Sequence, residues 1–432
     1  MSMIRPFRAV RPQKALAASV AALPYDVYNT EEARKITAEE PLSFLRIDRA
    51  ETQLPEGTDP YSDIVYRKAR EILDRMLSDG SFIQEEKACF YIYALTMNGR
   101  TQNGIVGCAS VDDYINQVIL KHENTLEAKE LDRIRHVEAC SAQTGPIFLT
   151  YRPHAGLKQL TASAKEKPCL YDFTSSDGVR HQVWRIDENS DIGKISQIFA
   201  GIPHLYIADG HHRAASAVKV GLRKRALDPG FSGDEEYNYF LSVLFPSDEL
   251  HIYDYNRCVL DMNGYTAGTF LDKIKDRFDI APMGETAYRP EKKGEFGLYC
   301  SGSWYRLQVR DCPSGTDPVE CLDVSVLQDY ILDPILGIRN PKADPRIRFV
   351  GGIRGLEALR EMADRSGGIA FSMYPTSMEE LLAVADAGRL MPPKSTWFEP
   401  KLRSGLFLHA IGNDIGDDSG NDTGDASVSA VE

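Results

Sequence analysis

No Cys-x-x-Cys pair occurs anywhere in this chain of 432 residues. Its eight cysteines, at positions 89, 108, 140, 169, 258, 300, 312 and 321, are scattered. That pattern speaks against a zinc ribbon or disulfide scaffold and for reduced thiols. No segment approaches the roughly 20 apolar residues needed to cross a bilayer. The opening Met1-Ser2-Met3-Ile4-Arg5-Pro6-Phe7 has no signal-peptide core followed by a small-residue cleavage site. A cytoplasmic protein without a membrane partner is expected. Long Lys/Arg runs are also missing, and the formal net charge is −13. Nucleic acid is therefore not an expected partner, because phosphate backbones need a positive face. Neither a Walker A sequence, a protein-kinase motif set nor a Gly-x-Gly-x-x-Gly at a suitable strand end is present. Phosphate chemistry, if present, needs another scaffold.

A hydrophobic content of 43% and a charged content of 26% are ordinary for a globular protein. The length suits two or three packed lobes. Strands are expected at Ile4–Val10, 89–96, 101–109, 146–151, 181–186, 205–208, 239–245, 252–255, 296–300, 304–309 and 369–373. Asn98-Gly99 is a strong type I′ turn signal between the second and third of these. Helices are expected at about 30–39, 61–79, 123–143, 192–199, 266–277, 322–334, 353–364 and 377–387. Such alternation indicates a mixed α/β (α+β) fold. The Gly/Asp/Ser/Asn-rich tail, 412–432, reads as a disordered, solubilising segment.

The densest chemistry lies in Leu205-Tyr206-Ile207-Ala208-Asp209-Gly210-His211-His212-Arg213-Ala214. A buried strand gives way to an Ala-rich helix, and an acid, a glycine, two imidazoles and a guanidinium crowd the turn between them. Gly210 permits a backbone conformation that a side chain hinders. The amides after it are unpaired donors of a helix N-terminus and attract anions. Arg213 can add a bidentate phosphate contact, the histidines further hydrogen bonds, and Asp209 a base or metal ligand. Gly210 alone reads as turn geometry, and Asp209 alone as a helix cap. The whole unit reads as a phosphoryl-binding turn, because folding does not require so many polar groups at one strand end.

A second cluster is Lys121-His122-Glu123-Asn124-Thr125, continued by Asp132-Arg133-Ile134-Arg135. His122 and Glu123 are candidates to position an acceptor and take its proton, with Lys121, Arg133 or Arg135 offsetting phosphate charge. A solvated helix with i,i+4 charge pairs accounts for the polar part of this segment equally well. Near the C-terminus, Leu390-Met391-Pro392-Pro393-Lys394-Ser395-Thr396-Trp397-Phe398-Glu399-Pro400-Lys401 is a stiff loop in which Lys394 offers a cation. It reads equally as an anion site or as a loop anchored by Trp397 and Phe398. Gly351-Gly352-Ile353-Arg354 reads as a structural turn.

Together, Pro24-Tyr25-Asp26-Val27, Lys121–Thr125 with Asp132-Arg133, Gly145-Pro146-Ile147-Phe148, Asp209–Arg213 and Met391–Thr396 resemble the bacterial family of domain of unknown function 1015. The Asp-Gly-His-His-Arg turn is similar to the phosphate turn of the ParB/sulfiredoxin superfamily, which includes free-serine kinases. That resemblance implies a ParB/sulfiredoxin-like core over 161–262, an N-terminal lobe over 1–160 and a C-terminal lobe over 263–411. It also implies transfer of phosphate from ATP, ADP or pyrophosphate to L-serine, with Mg²⁺ as the charge-offsetting ion. Asp209 is then the leading acid/base, with Glu123 and His122 beside it. Gly210, His211, His212 and Arg213 hold phosphate, with Lys121, Arg133 and Lys394 as further cations. Two other classes stay open: a nucleotide-binding protein without kinase activity, and a metal-dependent phosphohydrolase using Asp209, His211 and His212. The metal ligands and the oligomeric state, a homo-oligomer included, are left open.

Overall fold

A computed structural model describes residues 2–311, 315 and 317–412. The tail expected to be disordered lies, from residue 413 on, outside the described residues. Two large sheets organise the chain. The first has nine strands, in the order Ile119–Leu120, Leu205–Asp209, Ile147–Tyr151, Tyr239–Pro246, Arg100–Ser110, Phe90–Met97, Arg180–Ile186, Tyr171–Thr174, with Ile4–Arg5 paired to Arg100–Ser110. The second has six, in the order Phe278–Gly284, Ser303–Val309, Glu295–Cys300, Ile369–Met373, Tyr255–Val259, Ile347–Gly351. With their covering helices they form the expected mixed α/β fold. The first sheet takes strands from both sides of residue 160, and Tyr255–Val259 pairs in the second sheet.

Local signals account for much of this. Helix Thr30–Glu39 starts at a capping box in which Asn29 and Glu32 satisfy each other's backbone amides. Asn98 and Gly99 both take positive φ, 52° and 77°, as a type I′ hairpin turn demands. The polar helix begins at Glu127 and ends at Cys140, shorter than the expected 123–143. Residues 123–126 instead form the loop that enters the site. Helix Ala155–Lys165 and strands Tyr171–Thr174, Phe278–Gly284 and Ile347–Gly351 were not expected. That helix buries only Leu157 and Ala164, so its apolar periodicity is faint.

The two sheets share one apolar core, running from Phe7 and Tyr91 to Leu298, Phe371 and Phe407. The chain closes this core by returning to its start. Ser404 and Ala22 exchange backbone hydrogen bonds of 2.9 and 3.1 Å, and Leu408 pairs with Val10. Leu406, Phe407 and Leu408 are fully buried. This return places residues 397–403 against the end of strand Leu205–Asp209.

Helix His211–Leu227 packs closely enough that a methyl group cannot be added at its midpoint. A Cβ on Gly221 falls 2.5 Å from the Tyr237 carbonyl oxygen. Gly221→Ala is therefore expected to lower stability by about 1–3 kcal/mol, although alanine is intrinsically the better helix former by about 1 kcal/mol. Urea unfolding checks the sign.

Candidate functional site

Strand Leu205–Asp209 ends at Asp209, Gly210 turns with φ 92°, and helix His211–Leu227 starts without a side-chain cap. A side chain at Gly210 meets the Arg213 guanidinium at 3.0 Å as well as the backbone penalty. Asp209 Oδ1 accepts from the Gly210 amide at 2.8 Å, and Oδ2 from Lys401 Nζ at 3.2 Å. Burial pushes the Asp209 carboxyl up, but Lys401, Arg213 and His211 outweigh it and hold the group well below the usual carboxylate range. The carboxylate still reaches solvent, with 37% of its side chain exposed.

That exposure opens into a cleft of about 480 Å³ between the sheets. Asp26, Glu123, Asp177, Asp209, His211 and Lys401, which is bonded to Asp209, line it beside the first sheet, and Tyr255, Phe349, Arg354, Lys394, Trp397 and Glu399 line the remainder. Glu123 is half-buried. Its carboxyl is raised by burial and by the nearby Asp209 charge, against the opposing pull of Lys394 and Lys342. Lys394 is desolvated, yet Tyr255, Glu123, Asp26 and Asp209 together keep its ammonium above its ordinary value. Lys401 lies over the Trp397 ring, 4.8 Å from its centroid. Glu399 sets both partners, accepting from Trp397 Nε1 at 2.9 Å and from the Lys401 amide at 3.1 Å.

Of the residues singled out in the sequence, Glu123, Asp209, His211 and Lys394 therefore line one cleft, with Gly210 as the turn between Asp209 and His211. The rest are placed elsewhere. Arg213 donates to the Pro146 carbonyl at 2.6 Å and, with Arg133, lines a separate small cavity beside Pro24 and Tyr25. Arg133 is buried, paired with Asp132 at 2.8 Å and stacked over Tyr25. Lys121 is exposed and reaches over the Tyr114 ring. His212 Nε2 accepts from the Leu126 amide at 2.9 Å, which assigns its proton to Nδ1. Among the described residues no group of three His, Cys, Asp or Glu converges to hold a metal ion. Lys401, Asp26, Trp397 and Arg354 were not among the expected site residues, Trp397 being read as a loop anchor and Arg354 as part of a structural turn. Lys401 had a signal, since it ends the proline-stiffened segment that contains Lys394.

His122 lies behind His211, edge to face at 4.6 Å, and is 2% exposed. Among the described residues, neither of its ring nitrogens, nor His211 Nε2, has a hydrogen-bond partner. The Ile207 carbonyl is close enough to favour protonation of His122 without reaching bonding geometry. Burial wins and holds the ring neutral, lowering its pKa to about 4.

The chain matches the family described as protein of unknown function (DUF1015) over residues 4–325, and it belongs to that family. No curated protein matches it. Among solved structures, a free serine kinase mutant in complex with AMP is 14% identical, covering 70% of this chain and 92% of its own at a TM-score of 0.35. A second mutant of that kinase, in complex with ADP, is 14% identical, covering 71% and 93% at 0.35. C-terminally truncated SbnI from Staphylococcus aureus is 12% identical, covering 71% and 87% at 0.38. No residue role is carried over from them. No helix among the described residues is long and apolar enough to cross a membrane.

A histidine kept neutral by burial binds its proton more readily in the unfolded chain. Its contribution to stability is therefore complete above pH 6.5 and is lost as pH falls toward its folded pKa of about 4. Because the His122 nitrogens are unpartnered, His122→Leu is expected to change stability at pH 7.5 by less than about 1.5 kcal/mol. The same variant flattens the decline between pH 6.5 and 4. Urea midpoints across that range measure both effects.

Proposed function

We propose that this cleft is the active site of a small-molecule kinase. It moves a phosphoryl group from ATP, ADP or pyrophosphate to the hydroxyl of free L-serine, giving O-phospho-L-serine. The observation that carries the reading is the meeting of two carboxylates, Glu123 and Asp209, with two ammonium groups, Lys394 and Lys401, in one cleft at a helix N-terminus. Phosphoryl transfer asks a protein mainly for alignment and for offsetting negative charge. Open first-turn amides and two lysines meet the second demand.

The carboxylates divide the work by their surroundings. Asp209, paired with Lys401 and held strongly acidic, is a poor proton acceptor and a good anchor for cations. Glu123, raised by burial and by Asp209, is the better base. In this reading Glu123 takes the serine hydroxyl proton as the serine oxygen bonds to phosphorus and the bond to the leaving oxygen breaks. His211 and the Gly210 turn border the transferred group. Magnesium needs only one or two protein carboxylates when phosphate oxygens supply other ligands. Asp209 is the residue that would hold it, leaving Glu123 free as base, and the ion would offset charge on the phosphates.

Purified protein incubated with L-serine and each donor is expected to form O-phosphoserine, read by mass spectrometry. Glu123→Gln is expected to lower kcat by about 10²- to 10⁴-fold and to remove the acidic limb of the pH profile, since Glu123 must be ionised to act. An unchanged acidic limb in that variant removes Glu123 as the base. Failure of every donor to phosphorylate serine overturns the assignment of the acceptor.

A further inference from the structure

Arg257 stands in the middle of strand Tyr255–Val259 and is 3% exposed. Its guanidinium donates to two backbone carbonyls, those of Tyr255 and Lys394, the latter at 3.0 Å. It also lies over the Phe349 ring, 5.5 Å from the centroid. Among the described residues no carboxylate pairs with it. Burial lowers its pKa to about 10, which leaves it charged at neutral pH.

An interior cation without a counter-charge is unfavourable, and an apolar residue of similar volume at such a position is often neutral or stabilising. Folding therefore gives no reason for an arginine here. Its neighbours give one. The carbonyl it holds belongs to Lys394, whose backbone is left-handed at φ 59°. The same turn is tied by Ser395 Oγ to the Pro392 carbonyl at 2.6 Å and by Thr376 Oγ1 to the Ser395 carbonyl at 3.0 Å. Lys394 and Phe349, which Arg257 touches from behind, both line the cleft.

We propose that Arg257 is a positioning residue for the donor's polyphosphate: it fixes the Lys394 turn from behind and, with Lys394, makes that turn the anion-binding part of the cleft. The missing counter-charge of Arg257 is then the ligand. This inference rests on the cleft's being a phosphoryl-donor site, and it assigns the donor's anion to the Lys394 turn. Arginine is needed because a single ammonium cannot span both carbonyls as a planar fork does.

The test uses the full chain, inorganic pyrophosphate and ATP as probes, and the variants Arg257→Met and Arg257→Lys. Without ligand, Arg257→Met is expected to melt within a few degrees of the wild-type Tm, the relief of a buried charge offsetting the loss of two carbonyl hydrogen bonds. Its pyrophosphate-induced rise in Tm shrinks at a fixed pyrophosphate concentration, and its Kd for pyrophosphate by calorimetry increases about tenfold, the worth of one charge-assisted hydrogen bond. The KM for L-serine stays unchanged, and Arg257→Lys falls between the two. A wild-type Tm rise in Arg257→Met overturns the inference. So does a ligand-free Tm well below wild type with ligand affinity intact, which marks a purely structural arginine. Polyphosphate binding that depends on Arg257 without serine turnover supports the inference and sinks only the serine assignment. A wild-type protein that neither polyphosphate stabilises overturns the cleft reading and this inference together.

Discussion

The site exists because the end of the chain comes back to its beginning. Residues 401–411 are held against the N-terminal lobe by backbone pairing at Ala22 and Val10 and by the complete burial of Leu406, Phe407 and Leu408. Lys401 is delivered to Asp209 by that return, and Arg403, two residues on, pairs with Asp177 on the same cleft. A strand-turn-helix alone presents an acid at a helix N-terminus, where it competes with phosphate for positive potential. Lys401 removes that competition by answering the Asp209 charge locally. The Asp209 turn gains its local counter-charge only after the last apolar stretch has packed.

Charge is distributed across the cleft with the same logic. Acids and cations interleave there: Lys401 answers Asp209 at 3.2 Å, Arg403 answers Asp177, and Lys394 faces Glu123, with Arg257 buried behind the Lys394 turn. Both sides of the cleft are tied together. Asn124, next to Glu123, accepts from Lys342 at 3.0 Å, and the His122 carbonyl accepts from the Met391 amide at 2.8 Å. Tyr206, on the strand that ends in Asp209, donates to Asp386 at 2.7 Å across the sheets. The width of the cleft is thus set by contacts that also hold the sheets together.

Much of the fold was legible because its signals are local. The Asn98-Gly99 turn, the capped helix at Thr30 and the strand-Gly-helix around Asp209 each depend on residues within a few positions of one another. What escaped was decided at long range. Strand Ile347–Gly351 sits at the edge of its sheet with Arg348 exposed, so it lacks a strong apolar pattern. Gly351 and Gly352 were read as structural, and they are: a Cβ on the first meets the Trp397 ring at 2.8 Å, and on the second the Asp254 carboxylate at 2.0 Å. The same turn nevertheless borders the cleft through Ile353 and Arg354. In the site, composition singled out Glu123, Asp209, His211 and Lys394 but grouped Arg213, Arg133 and Lys121 with them. Sequence proximity cannot say that Arg213 turns to the Pro146 carbonyl, or that Arg133 is consumed by Asp132 and Tyr25.

Arg257 shows the limit most clearly. In the sequence it lies just beyond the expected strand 252–255, as one charged residue in the run Tyr255-Asn256-Arg257-Cys258-Val259, and nothing local marks it. Its burial is set at long range, by the Lys394 turn and Phe349. Glu123 and Asp209 lie within the span that matches the family, residues 4–325, whereas Lys394, Trp397, Glu399 and Lys401 lie beyond it. Neither part forms the cleft without the other. The first contributes carboxylates that need cations nearby, and the second contributes Lys394 and Lys401, whose burial is tolerable only beside negative charge. The pairing of Lys401 with Asp209 therefore ties the end of the chain to the strand that ends at the turn.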